Sequence, residues 1–380
     1  MFDRRQILIG GTAAALFAPR IAFARAETER RLVFLIQRGA ADGLATLAPT
    51  GDPAYAALRG DLAADLLDRP KLGGMFALHP ALGQLGGLYG KGEALFAHAV
   101  ASPYRDRSHF DGQNVLETGG ARPYDRKDGW MNRLIGLLPG PGVKGLAISA
   151  TIPTALRGDI QVASYAPSNL PDASQDLLQR VTMLYEGDPQ LHGLWNEALQ
   201  TRAMAGDLGL GNAKGAAAAG QLIASLMAGP EGARIVMAES NGWDTHAGQK
   251  VRLNNQLTGL DSLIASLRDN LGAAWKDTLV IVATEFGRTA AVNGTGGTDH
   301  GTASLAMLIG GTVAGGRIVS DWPGLGAAQL YEGRDLKPTT SLDAMLAGAL
   351  AGHFGLDPAH AAPRLFPGGQ GKPIGGLVRS

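Results

Sequence analysis

The run Leu279-Val280-Ile281-Val282-Ala283 passes without a break into Thr284-Glu285-Phe286-Gly287-Arg288-Thr289. Its first part is continuously apolar and β-branched, as in a strand buried on both faces. Its second part puts an acid and a base just past the strand's carboxyl end, the edge at which open α/β sheets bind ligands. The pattern recurs upstream, where Ile235-Val236-Met237-Ala238 precedes Gly242-Trp243-Asp244-Thr245-His246. A third cluster, Gly297-Thr298-Asp299-His300-Gly301, follows. Asp, Glu and His without Cys are ligands for hard or borderline divalent metals. The expectation is a metal site on an α/β fold.

Outward from these clusters, further strands are expected at 31–36, 94–100, 145–149, 161–165 and 303–309, with the two quoted strands at 233–238 and 278–283. Helical patterns lie between them. The clearest covers Gln249–Leu271, where Leu257, Leu260, Ile264, Leu267 and Leu271 recur at helical spacing. Residues 177–185 and 191–204 also read as helical, and 206–230 as a Gly- and Ala-rich loop followed by a helix. Strands alternating with helices predict a mostly parallel sheet flanked by helices. No linker interrupts the pattern, so 27–380 reads as one domain, ending in an irregular tail over 366–380.

The chain has 380 residues, 18% charged and 45% hydrophobic, which suits a globular core. Formal net charge is zero, so nothing points to nucleic acid or to a membrane surface. Residues 1–26 read as an export signal: Arg4-Arg5 opens a twin-arginine pattern, an apolar stretch follows, and Ala22-Phe23-Ala24 and Ala24-Arg25-Ala26 are small-x-small cleavage sites. The apolar stretch is too short to span a bilayer. The expectation is passage through the twin-arginine export machinery to the periplasm or beyond, with no stable membrane insertion after cleavage. Cysteine is absent, so an exported chain gains nothing from disulfides.

Each chemical cluster carries two readings. Asp244 and His246 can face one metal across a turn, or Asp244 can cap the following helix. Glu285 suits a metal or an ion pair with Arg288. Asp299 and His300 end a glycine-rich loop that lets the backbone approach a ligand closely; solvated loop residues are the alternative. Asp42, in an Asp-Gly pair past the first strand, reads as a turn residue or as a ligand. Ser108, in Arg105-Asp106-Arg107-Ser108-His109-Phe110-Asp111, reads as the cap of a helix or as a nucleophile at a helix N-terminus, with Arg105 and Arg107 beside it for an oxyanion.

Taken together, the motifs Arg38-Gly39-Ala40-Ala41-Asp42-Gly43, Arg107-Ser108-His109-Phe110-Asp111, Gly242-Trp243-Asp244-Thr245-His246, Thr284-Glu285-Phe286-Gly287-Arg288-Thr289 and Thr298-Asp299-His300-Gly301 resemble the exported bacterial family catalogued as domain of unknown function 1501. That family in turn resembles the alkaline phosphatase and sulfatase superfamily. The resemblance implies an alkaline-phosphatase/sulfatase-like fold and a site for a divalent metal, Zn, Mn, Mg or Ca, held by Asp42, Asp244, His246, Glu285, Asp299 and His300. It implies Ser108 or a metal-bound water as nucleophile, with Arg107 and Arg288 neutralising developing charge. The activity implied is hydrolysis of phosphate or sulfate esters, with an anionic small-molecule ester as partner. Two departures stand out. The middle pair is Asp-x-His where the superfamily has Asp-x-x-x-His, and the strand end is Glu285-Phe286 where it has Asp-His. A non-catalytic binding or assembly protein on the same fold is the alternative.

Overall fold

A computed structural model describes residues 28–140, 143–166, 175–185, 187–188, 191–192, 195, 215–369 and 371–379. The export-signal expectation, most of the helix expected at 191–204 and the loop expected before residue 215 lie outside the described residues.

The described residues hold twelve strands: β1 (Arg31–Gln37), β2 (Leu47–Ala48), β3 (Lys71–Leu72), β4 (Phe76–Leu78), β5 (Ala94–Ala101), β6 (Gly145–Ile148), β7 (Ala163–Ser164), β8 (Ile235–Ser240), β9 (Thr278–Ala283), β10 (Ser304–Ile309), β11 (Arg317–Val319) and β12 (Thr340–Ser341). Nine of them form one sheet in the order β11-β5-β10-β9-β1-β8-β6-β7, with β12 also paired to β5. All neighbours in it run parallel except β10, which is antiparallel to both β5 and β9. The sheet is therefore mixed and mostly parallel, flanked by helices, as expected. β2, β3 and β4 make a small antiparallel sheet that the alternation pattern did not announce.

β1 shows why the main sheet sits at the centre. Val33 and Leu35 enter one apolar layer, Leu32, Phe34 and Ile36 enter the other, and all five are 0% exposed. Alternate side chains point to opposite faces, so a strand with no polar face needs helices on both sides. The helix Gln249–Leu271 supplies one cover, burying Leu253, Leu257, Leu260, Ile264, Leu267 and Leu271. The helices Trp130–Leu137 and Leu342–Phe354 cover the other face.

Strand direction then fixes where the loops emerge. β1, β8 and β9 are adjacent and parallel, so the segments after Gln37, Ser240 and Ala283 leave from one edge. β5 runs the same way, because it is antiparallel to the antiparallel β10. The reversed β10 starts at that edge, so the segment before Ser304 arrives there. Asp244, Glu285, the His109 segment and Asp299-His300 thus reach one edge of the sheet.

Candidate metal centre

The centre is built from three connecting segments. His109 opens the helix His109–Thr118, after β5. Asp244 and His246 follow β8, and His300 precedes β10. His109, Asp244 and His300 each offer one ligand atom, and these atoms lie within 4.8 Å of one another, close enough to hold a metal ion. His246 adjoins them: its Nε2 is 3.1 Å from Asp244 Oδ1 and 3.0 Å from His300 Nε2.

Each imidazole is held from behind through Nδ1. His109 Nδ1 lies 2.8 Å from Glu285 Oε1. His246 Nδ1 lies 2.9 Å from Asp299 Oδ1. His300 Nδ1 lies 3.0 Å from the Arg107 carbonyl oxygen. A carboxylate or carbonyl only accepts, so each Nδ1 carries the hydrogen and, in the neutral ring, each Nε2 presents a lone pair. Those lone pairs converge on Asp244, whose Oδ1 is 3.2 Å from His300 Nε2 and whose Oδ2 is 3.5 Å from His109 Nε2. Acceptors facing one another at such distances need either a cation between them or a proton on one of the rings. The buried His109 Nε2 also makes no hydrogen bond. Orientation of ligating imidazoles by carboxylates and carbonyls is the usual outer layer of a metal site. Three imidazoles and a carboxylate fit a divalent metal.

Two glycines let the loops close on this point. Gly39 has φ +115°, and a Cβ there would stand 2.5 Å from the Asp244 backbone nitrogen. A Cβ on Gly297 would stand 2.3 Å from the His246 backbone. Behind the centre, Glu285 is 1% exposed and also accepts from the Gly39 N–H at 2.9 Å and Gln113 Nε2 at 3.1 Å. Burial pushes its carboxyl upward, but the His109 bond and these donors outweigh it and hold it below the usual range. Glu285 in turn raises His109, whereas burial and the neighbouring His109 lower His300. Burial also pushes Asp244 up, and the Arg288 guanidinium more than offsets it.

The remaining expected residues fall into new places. Asp42 is not presented to the centre. It is 1% exposed, caps the helix Gly43–Thr46 through Ala45 N–H, and binds Arg59 through both oxygens at 2.6 and 2.9 Å. A carboxylate with both oxygens committed to a buried guanidinium is a structural anion, and the ligand reading of Asp42 is corrected accordingly. Glu285 and Asp299 sit one step out, orienting His109 and His246. Arg288 makes no pair with Glu285; its Nη1 binds Asp244 Oδ1 at 2.7 Å and its Nε binds Thr298 Oγ1 at 3.2 Å. The Arg107 guanidinium is turned away to Asp335, at 2.8 Å, and to Glu332, so it is already neutralised. Its contribution comes from the backbone, where φ +62° accompanies the carbonyl that His300 binds. The Arg105 guanidinium donates to the carbonyls of Ser102 and Tyr104. Ser108 occupies the N-cap position of the helix His109–Thr118, yet its side chain makes no capping bond, so the capping box with Asp111 does not form.

His109, Gln113, Arg59 and Gln249 were not singled out from the sequence. One signal for the first two was available, since positions i and i+4 of a helix share a face, and both approach Glu285. Arg59 lies seventeen residues from Asp42 with no pattern to connect them.

The fold and site together define a mostly parallel, helix-flanked sheet with a histidine-rich cluster at its carboxyl edge that could hold a metal ion. A family model described as a protein of unknown function (DUF1501) matches residues 93–366, and the chain belongs to that family. The Arg38–Gly43 motif lies outside the matched stretch. No curated protein matches the chain. Among solved structures, the C-terminal periplasmic domain of EcEptC from Escherichia coli, complexed with zinc, is 11% identical, with 76% of this chain and 75% of that one covered, at a TM-score of 0.35. A protein in the alkaline phosphatase superfamily from Vibrio parahaemolyticus is 13% identical over 94% of this chain and 76% of its own, at 0.37. The alkaline phosphatase of the Antarctic bacterium TAB5 is 11% identical over 75% and 92%, at 0.36. Likenesses this distant say nothing about chemistry, and the centre is read from its own residues.

Proposed function

We propose that this protein is an exported, metal-dependent hydrolase of phosphate or sulfate esters. The observation that carries the reading is the convergence of three Nε2 atoms on Asp244, each ring held through Nδ1 by an acceptor. Imidazole-rich sites suit zinc better than magnesium or calcium, which prefer all-oxygen shells. A bound divalent cation would polarise the ester oxygen as a Lewis acid. The chain's own residues do the rest. Glu285 and Asp299 keep the imidazoles in one tautomer. Arg288, 1% exposed and anchored by Thr298, supplies a fixed positive charge beside Asp244 where charge develops on an oxyanion. Ser108 precedes His109 at a helix N-terminus, where backbone N–H groups favour an anion, and its hydroxyl serves as nucleophile. Export by the twin-arginine route rests on Arg4-Arg5 and the apolar stretch that follows; among the described residues no helix is long and apolar enough to cross a membrane.

A second reading, a non-catalytic exported binding or assembly protein, is favoured by the two carboxylates that arginines already neutralise, Asp42 by Arg59 and Asp244 by Arg288. One experiment separates them. The untagged full chain is purified, its metal measured, and aryl phosphate and aryl sulfate esters assayed before and after chelation and zinc return. The enzyme reading expects bound divalent metal, turnover lost and restored with it, and Ser108→Ala that keeps the metal and loses at least 100-fold in turnover, on the order of what a positioned catalytic group supplies. Bound metal without turnover on any ester moves the protein to the second reading. Metal-free protein that takes up no zinc removes both the centre and the enzyme.

A further inference from the structure

We infer that a cavity at the far end of the chain binds a small primary amine carried on an apolar body, with the Asp343 carboxylate as its counter-ion. The cavity, about 610 Å³, lies between the helices Leu342–Phe354 and Pro358–Leu365 and the tail that follows them. None of its lining residues belongs to the metal centre. Its volume is that of an ordinary small-molecule site, roughly 300–1,000 Å³.

The lining is apolar with one polar exception in its depth. Ala347, Ala362, Pro363 and Phe366 form walls, and Asp343 is the one acid among the described lining residues. Asp343 is 4% exposed, and its Oδ2 makes no hydrogen bond. The tail passes directly over it: a Cβ on Gly369 would stand 3.1 Å from Asp343 Cβ. Arg105 is the positive group that acts on this carboxyl, but its Nη1 is bonded to the carbonyls of Ser102 and Tyr104. Burial pushes Asp343 up to about 7 despite Arg105. A buried carboxylate with no donor is costly unless a partner arrives.

The chemistry of that partner follows. An anion would be repelled by Asp343. A purely apolar ligand would leave Oδ2 without a donor and seal it further from water. An ammonium brings charge and three donors on a compact head. Its apolar body would be buried against the alanine, proline and phenylalanine walls, a gain of about 25 cal/mol per Å². The positive end of the helix Leu342–Phe354 is already balanced by Asp343 in its first turn. Lys372 is exposed at the rim, where solvent and salt screen it.

The test uses the full chain at pH 8, where Asp343 is mostly ionised, and compares phenethylammonium with its alcohol isostere, 2-phenylethanol, by titration calorimetry. The amine should bind saturably and at least tenfold more tightly than the alcohol. Asp343→Asn should erase that preference. Ala362→Trp, which fills the cavity from the opposite wall, should weaken both ligands. Equal binding of amine and alcohol to the wild type overturns the inference, as does no amine binding up to about 10 mM, weaker than about −3 kcal/mol. An Asp343→Asn protein that keeps the preference also overturns it. If that variant does not fold, amine binding left unchanged by Ala362→Trp does so instead.

Discussion

Glu285 gains its importance from which nitrogen of His109 it binds. A carboxylate cannot donate, so it leaves His109 Nε2 bare and aimed at Asp244 and His300. Glu285→Gln changes that. An amide has a single acceptor oxygen to share among His109, Gln113 and the Gly39 N–H, and its NH₂ can bind a bare Nδ1, which moves the ring hydrogen to Nε2. Zinc affinity should then fall about 10–100-fold, the usual cost of losing an outer-layer partner, while the fold survives. Competition against a chromophoric chelator measures this, and an unchanged affinity would remove Glu285 from the centre. Asp299→Asn should cost less, because the Asp299 side chain is 54% exposed and water can replace it. At this scale the sequence was a partial guide. Strand ends flagged Asp244, His246 and Glu285, because position after a buried strand is visible in a linear pattern, and the glycine-rich loop flagged His300. It did not rank them as ligand or supporting residue, since that depends on which atom faces inward. His109 went unselected because the serine before it had the more conspicuous chemistry.

Elements decide which of the residues at the sheet edge stay in the centre. Asp42 sits at the right edge, one short loop beyond β1, so topology alone makes it a ligand. What removes it is Arg59, 0% exposed, in a helix that the periodicity did not reveal. The pair is buried, and breaking a buried pair from one side typically costs about 3–5 kcal/mol. Arg59→Ala should therefore lower the unfolding free energy by about that amount, read by urea denaturation. Asp42→Asn combined with Arg59→Met should restore most of it, because Asn still caps Gly43–Thr46 and no buried charge remains. Metal content should stay at the wild-type level in the double variant. Loss of metal there would return Asp42 to the ligand set, and a fully stable Arg59→Ala would show that the pair contributes little. The other strands of the main sheet were legible because a short, continuous apolar run bounded by turn residues fits a strand covered on both faces, but β11 and β12 were not expected. The small β2-β4-β3 sheet was not, because strands of two or three residues carry no period to read.

Across the whole molecule, both faces of the sheet are sealed, and that leaves titratable groups in places where they resist charge. His98 on β5 is 0% exposed, and burial brings it down to about 4; His353, in the helix Leu342–Phe354, is brought down to about 3. Both are bound as neutral rings, His98 to the Leu47 carbonyl and Ala99 N–H, His353 to the Arg31 carbonyl and Thr312. The unfolded chain takes a proton on each near 6.5, so their contribution is complete above that pH and falls as pH drops toward 4 and 3. Asp343 works the other way. Its folded value of about 7 lies above the ordinary 3.8, so its penalty is absent below 3.8 and complete above 7. Each group contributes a slope of about 1.4 kcal/mol per pH unit inside its window. Between pH 4 and 6.5 the two histidines outweigh the one aspartate, and stability attributable to these three falls with acid at about 1.4 kcal/mol per unit. Asp343→Asn removes the opposing term. At pH 8 the variant should be more stable than wild type by up to about 4 kcal/mol, and its decline into acid should be steeper by about 1.4 kcal/mol per unit. The two curves should meet near pH 4. Urea unfolding of both proteins at matched metal content, from pH 4 to 8, isolates the difference because every other group is shared. A gain that does not change with pH would mean that Asp343 is ionised in the folded chain throughout, held so by Arg105.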